Sequence, residues 1–464
     1  VDVQRIITQA TTRATIISPN SVIAVADREG FVLGVWNVRG GQPTAGEIAI
    51  AVSKAGTGAF LSSNQNAFTS RTAGYIIQEH FPPGVRNTAP GPLVGVGFSS
   101  LPFSDVNRFK RFVSPVPPPP AGQSPGTRGF PIPGTMLNGS PGGLPLYKGG
   151  QLVGGIGVTG DGHEGFIVGY DKDEDVALSG QHGFAPSSTI LATHVFIGGI
   201  SLPYVSSSTV FPSTLALRGN AAAGFPVQRP PPPFSYPVAV FGGVSGQIRQ
   251  PIRNDPLTTL INGRARLNAA EVTRIMNFAA DRARITRGGI RLPIGEPARV
   301  FITVVNNPNA AGVAPAVLGA FRTGEATIFS WDVAVQKART VIFYASNTLA
   351  MSTRTVGFLA QSHFPPGLDV EAPGPYFGFQ NTVSVPPPRS NLPNGITIFP
   401  GGFPLYRNGQ LIGAVGVSGD GVDQDDIVAA SGTNDFPAPF AIRADQFGYL
   451  GVRLPYAKFP RDPP

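Results

Sequence analysis

The chain has 464 residues, 41% of them hydrophobic and 13% charged, enough apolar material for proper cores in roughly two to four domains. It has no cysteine, which excludes disulfides, thiolate zinc sites, iron–sulfur clusters and a cysteine nucleophile together. The net charge is +8, but the basic residues are scattered singly with RFKR at 108–111 as the longest run, so no nucleic-acid tract is present, and no window approaches the about 20 uninterrupted apolar residues of a membrane helix.

With 59 glycines and 48 prolines the chain must contain many turns and irregular segments. Few charges and long Pro-rich stretches favour an exported protein, extracellular or periplasmic. The chain begins at Val1 without a signal-like stretch, which fits a leader already removed or a trimmed end.

Apolar positions at helical spacing predict a first helix over 3–14 (VQRIITQATTRA), and 272–283 (VTRIMNFAADRA) echoes it, with Asn268 placed to cap its start. Two β-rich runs in 21–38 flank a turn at 27–30 (DREG), and 299–306 with 316–321 repeat that hairpin around a longer loop. A helix follows in each copy, over 45–59 with Lys54 and over 325–345 with Lys337, and then a shorter one carrying Arg71 or Arg354 in Ser/Thr-rich surroundings. Both short helices run into the same words, His80-Phe81-Pro82-Pro83-Gly84 and His363-Phe364-Pro365-Pro366-Gly367, where the proline pair stops a helix.

After Pro-rich inserts at 116–126 and 385–388 comes the most faithful repeat, 141–162 (PGGLPLYKGGQLVGGIGVTGDG) against 400–421 (PGGFPLYRNGQLIGAVGVSGDG). Each reads as a β-hairpin with a Gly-Gly or Asn-Gly turn. Acidic segments at 171–180 (DKDEDVALSG) and 423–432 (DQDDIVAASG) follow, and the match runs on to Leu202-Pro203-Tyr204 and Leu454-Pro455-Tyr456. The duplication therefore covers nearly the whole chain, as repeat 1 over 1–206 and repeat 2 over 266–464, and only 207–265 has no partner. That stretch, with RPPPP at 229–233, reads as an inter-repeat linker with a strand at 238–241.

The order helix, hairpin, Lys-Ala helix, then GGxPLYxxGQLxGxxGVxG and an acidic helix start resembles the GlcG/HbpS-like family, often described as a haem-degrading domain. The resemblance implies an α+β fold in each repeat, with helices on an antiparallel sheet of about five strands, and self-association as a homo-oligomer or polymer. A fused pair of such domains implies an internal pseudo-dimer. It also implies haem or a related tetrapyrrole as ligand.

The duplicated His80 and His363 suit ligation of haem iron, with Arg71, Arg354, Lys54 and Lys337 as partners for propionates. Each has a structural alternative. The histidines could bond backbone carbonyls beside a rigid turn, the arginines could pair with carboxylates, and the lysines could lie along a helix stripe. Asp171-x-Asp173-x-Asp175 has the spacing of half a calcium loop without its glycine and distal glutamate, and carboxylates answering a helix dipole explain it better. Gly155-x-Gly157-x-x-Gly160 matches a dinucleotide fingerprint but sits in a hairpin strand, where close backbone approach accounts for it. No Ser-His-Asp order, HExxH or paired-carboxylate motif recurs in both copies, so the motifs lean away from an enzyme. The leading reading is a tetrapyrrole-binding protein. The alternatives are a cofactor-free structural or assembly protein, and an enzyme acting on a small hydroxylated metabolite.

Overall fold

The computed structural model describes residues 1–94, 132, 135–230, 235–293, 295–379 and 391–458. The Pro-rich inserts at 116–126 and 385–388, and most of the 229–233 run, lie outside the described residues. The described residues form two compact units, one drawn from 1–78 and 132–230, the other from 79–94 and 235–458. Each is α+β.

In the first unit helix α1 (Asp2–Ile17) leads into strands β1 (Val22–Asp27) and β2 (Val32–Asn37), followed by α2 (Ala45–Leu61) and the short α3 (Ser70–Ile76). The hairpin β3 (Gly143–Lys148) and β4 (Gln151–Thr159) and helix α4 (Lys172–Gln181) complete the repeat. The sheet is antiparallel in the order β3-β4-β1-β2, and a fifth, two-residue edge strand β5 (Asn220–Ala221) pairs with β2 at Trp36 and Asn37. Thr44 opens α2 and Thr69 opens α3 with complete capping boxes, which satisfy backbone N–H groups a helix start otherwise leaves without partners.

All six residues of β1 are buried, which follows from burial on both faces of the sheet. Ile23 and Val25 share a core with Ile6, Ile7 and Ala10 of α1, Ile156 and Val158 of β4, and Val176 of α4. The alternate residues, Ala24 and Ala26 of β1 with Gly155 and Gly157 of β4, point the other way, towards α2. There the side chains are small because the helix lies almost against the strand backbone. A Cβ on Gly157 would sit 2.1 Å from the Ala51 carbonyl oxygen, and one on Gly155 would sit 2.1 Å from that of Ala55. This is the close approach for which the strand glycines are needed.

The second unit repeats the order with α5 (Ala269–Ile285), β8 (Phe301–Asn306), β9 (Val317–Thr323), α6 (Phe329–Tyr344), α7 (Thr353–Leu359), β10 (Gly402–Arg407), β11 (Gln410–Ser418) and α8 (Val422–Gly432). Asn268 caps α5 in a capping box with Glu271, as its position predicts. The sheet order β10-β11-β8-β9 is that of the first unit, extended at the β9 edge by β7 (Val244–Gln250) and β6 (Val238–Phe241). Ala414 replaces the first strand glycine, and Gly416 alone keeps the contact: its Cβ would lie 2.0 Å from the Ala334 carbonyl oxygen.

The stretch 207–265, expected as a linker, is built into both units. Its first part lies along unit 1, where the Ala216 amide donates to Thr12 and the Trp36 indole donates to the Arg218 carbonyl, and then supplies β5. Its later part supplies the β6–β7 hairpin of unit 2, turning at Gly242-Gly243. In both cases it covers a strand edge whose backbone groups would otherwise face solvent unpaired.

Gly157→Ala and Gly416→Ala are each expected to destabilise the fold by about 3 kcal/mol, because helix and strand must separate to admit one methyl group. Val153→Thr, on the exposed side of β4, is expected to stay within about 0.5 kcal/mol. The midpoints of urea unfolding check both.

Candidate functional site

The six side chains singled out from the sequence fall into two kinds of place. Lys54, Arg71, Lys337 and Arg354 gather at the acidic helix starts, two in each unit. His80 and His363 lie in the paired loops.

Lys54 emerges from α2 beneath the start of α4, with its side chain fully buried. Its ammonium donates to Asp173 Oδ2 at 3.1 Å and to Glu164 Oε1 at 2.8 Å. Arg71, opening α3, is also buried and reaches Glu174 with two donors, Nε to Oε1 at 2.6 Å and Nη2 to Oε2 at 3.0 Å. Its Nη1 donates to the Ile167 carbonyl, and Nη2 donates to that of Gly169 as well. Glu174 accepts further from the amides of Ser206 and Ser207, so this pair is hydrogen-bonded on both sides. Asp171 caps α4, Asp173 turns to Lys54, and Asp175 turns to Arg13 at 2.8 Å. These three carboxylates diverge and do not form a calcium cage.

The second unit repeats the arrangement. Lys337 Nζ donates to Asp425 Oδ2 at 2.8 Å and to the Val417 carbonyl at 2.8 Å, where the first unit has Glu164 instead. Arg354 Nε donates to Asp426 at 2.9 Å and its Nη2 to Asp423 at 2.7 Å. Burial raises the carboxyls of Asp173 and Asp425 to about 6 against the opposing pull of the lysines. Burial likewise lowers the Lys337 ammonium from its ordinary value, the nearby aspartates working against it. All four basic residues are thus neutralised by carboxylates of their own fold. From the sequence Asp173 stands among the dipole-answering carboxylates of the first acidic segment, and Glu174, Asp425 and Asp426 are marked only as members of the two acidic segments. The signal that identifies them as partners is recurrence, since a lysine and an aspartate reappear together at equivalent places in both copies.

The two histidine loops both belong to the second unit and turn through cis Phe–Pro bonds. His80 Nδ1 faces the Thr88 carbonyl at 2.7 Å and its Nε2 faces Asp369 Oδ1 at 2.8 Å, two acceptors that together occupy both ring nitrogens. Asp369 is held in turn by Arg86 Nε at 3.0 Å and by the Asn87 amide at 3.1 Å. His363 Nδ1 faces the Glu371 carbonyl at 2.8 Å, the same anchor in the second copy. Among the described residues its Nε2 meets only Glu79, at 3.4 Å, and the Glu79 side chain is 51% exposed. A ring whose Nδ1–H is fixed on a backbone carbonyl presents its Nε2 lone pair outward, the orientation a metal-ligating histidine needs. His363 fits an iron ligand. His80 does not while Asp369 holds it, and the four internally paired cations do not fit propionate partners.

Replacing Lys337 by Met or Asp425 by Leu alone is expected to cost about 3–5 kcal/mol, because either change strands a buried charge, whereas the double replacement is expected to return close to the parent. A urea double-mutant cycle reads this coupling. Because burial places the Asp425 carboxyl at about 6, above the ordinary 3.8, it favours the fold while protonated, and that contribution is lost as pH rises across this interval. Asp425→Asn is expected to remove its share of the slope from a stability–pH profile.

Residues 297–434 match the family model described as "Haem degrading protein HbpS-like". No curated protein is a significant match to the chain. Among solved structures, the PduOC–haem complex is 21% identical, covering 38% of this chain and 98% of its own, at a TM-score of 0.26. The Klebsiella pneumoniae protein ORFY is 23% identical, covering 38% and 96%, and a double mutant of Streptomyces reticuli HbpS is 20% identical, covering 44% and 99%, both at a TM-score of 0.26. Through residues 297–434, within its second repeat, the chain is similar to the HbpS-like family.

Proposed function

We propose that the chain is a binding protein for haem or a related tetrapyrrole, with His363 of the second unit as the side chain that meets iron. The family match of residues 297–434, which include His363, supports a haem-related ligand class. The observation that carries the residue is the asymmetry between the two histidines: His363 Nδ1 is anchored on the Glu371 carbonyl while its Nε2 is held only at 3.4 Å, whereas both nitrogens of His80 are within 2.8 Å of acceptors. When bound, haem would supply an iron centre that an imidazole nitrogen can ligate. The role of this chain is to fix the ring. The Glu371 carbonyl sets its tautomer and orientation, and Glu79 moves aside into solvent.

A second reading, a cofactor-free assembly protein, is favoured by the internal pairing of Lys54, Arg71, Lys337 and Arg354, which leaves none of the four to meet a ligand's carboxylates. The two readings separate in one experiment, a haemin titration followed by absorption alongside the elution volume. The tetrapyrrole reading expects a saturable Soret shift, weakened about a hundredfold in His363→Ala and little changed in His80→Ala. The assembly reading expects a featureless titration and a large elution size independent of haemin.

A further inference from the structure

Beside the His363 loop the second unit has a cleft of about 330 Å³ that the reading above does not use. Its walls include Leu349, Met351, Leu359, Tyr376, Tyr449 and Leu454. This volume lies at the small end of the range of ligand pockets, and the wall is of the mostly apolar, partly aromatic kind such pockets have. Among the described residues no charged side chain lines it, which suits an uncharged part of a ligand. The polar groups on offer are the hydroxyls of Thr348, Tyr376 and Tyr449, and the Tyr376 hydroxyl is already turned to the Met351 sulfur at 3.9 Å. The Tyr449 ring is braced edge-on by Phe364 with centroids 5.1 Å apart, and the Tyr376 ring by Tyr344 at 4.9 Å, so both aromatic walls are supported from behind.

The duplicated sequence shows that this wall is particular to the second repeat. Phe68, 1% exposed, stands in the first repeat where the second has the unbranched Met351. Asn66 stands for Leu349, and Ile197 for Tyr449. Each change from the first copy to the second makes the wall more apolar, more aromatic or more yielding.

We propose that this cleft is a binding site for a flat, uncharged, apolar small molecule or the uncharged part of a larger one, and that the second repeat alone carries it. It goes beyond the tetrapyrrole reading and stands or falls separately from it.

The test uses the full chain and Nile red, a neutral planar dye whose emission rises and shifts to the blue in apolar surroundings. The expected result is saturable binding of one dye per chain, weakened at least about tenfold in Met351→Phe, which fills the cleft with the residue the first repeat accepts at the same place. Leu349→Asn, also borrowed from the first repeat, is expected to weaken binding without adding bulk, and it serves if Met351→Phe fails to fold. Unchanged melting temperatures exclude a merely structural effect. Dye binding that does not saturate, or that both variants leave unaltered, would overturn the proposal. Haemin titrated into the same variants separates the two readings. Loss of dye with haemin binding retained supports a cleft distinct from the His363 site, and loss of both supports a cleft that receives part of the macrocycle.

Discussion

Both units rest on a helix lying against a strand at backbone distance. Where the Ala51 and Ala55 carbonyls meet Gly157 and Gly155, there is no room for a side chain, so the strand at that contact must be glycine, while the opposite face of the sheet carries Ile, Val and Leu of the core. The contact also fixes what the helix presents further along. Lys54 and Lys337 come from the seated helices α2 and α6, and their stems leave no route to solvent, both side chains being fully buried. A cation placed there needs an anion, and the first turn of the following acidic helix supplies it.

Such a pair adds little net stability. The direction of the carboxyl shifts says as much: burial holds Asp173 and Asp425 above the ordinary carboxylate range even with an ammonium in contact. Desolvation outweighs the attraction, and the pair persists because losing one partner is worse than keeping both. The paired loops show the opposite economy at the surface. Position 86 of the first copy corresponds to 369 of the second, and the two carry Arg and Asp, which meet at 3.0 Å. Identical loops in contact would have set like charges together, so divergence of the copies made the contact complementary.

Much of the fold was legible because its causes are local. The hairpins announce themselves by turn glycines and alternating runs, the helices by spacing and caps such as Asn268, and the duplication allowed each element to be read twice. The β7 strand (VSGQIRQ) escaped because its residues are mostly polar and its conformation is set by pairing with β9, a partner far along the chain. The site was legible in its members and not in its pairings. Six residues were marked by recurrence, yet whether a basic side chain meets a ligand or a carboxylate of its own fold depends on which helix start packs over it. For Lys54, Arg71, Lys337 and Arg354 that is a tertiary fact, and all four proved to be paired internally.

The duplication therefore separates two kinds of information that a single domain would leave mixed. What is repeated faithfully, the glycine-backed helix, the buried lysine with its aspartate, and the Nδ1 anchor of each loop histidine, belongs to the scaffold both copies share. What differs is where the copies were free to change. The second copy holds its histidine loosely against an exposed glutamate, while the first has both ring nitrogens held by close acceptors. The second copy also has Met351 in place of the Phe68 buried in the first. Both departures lie in the second unit, and Phe364, next to His363 in the chain, braces Tyr449 at the cleft wall. Loosened restraint and added apolar space at neighbouring points of one copy are hard to ascribe to folding, which the other copy achieves without them. They are the changes that binding a ligand there would require.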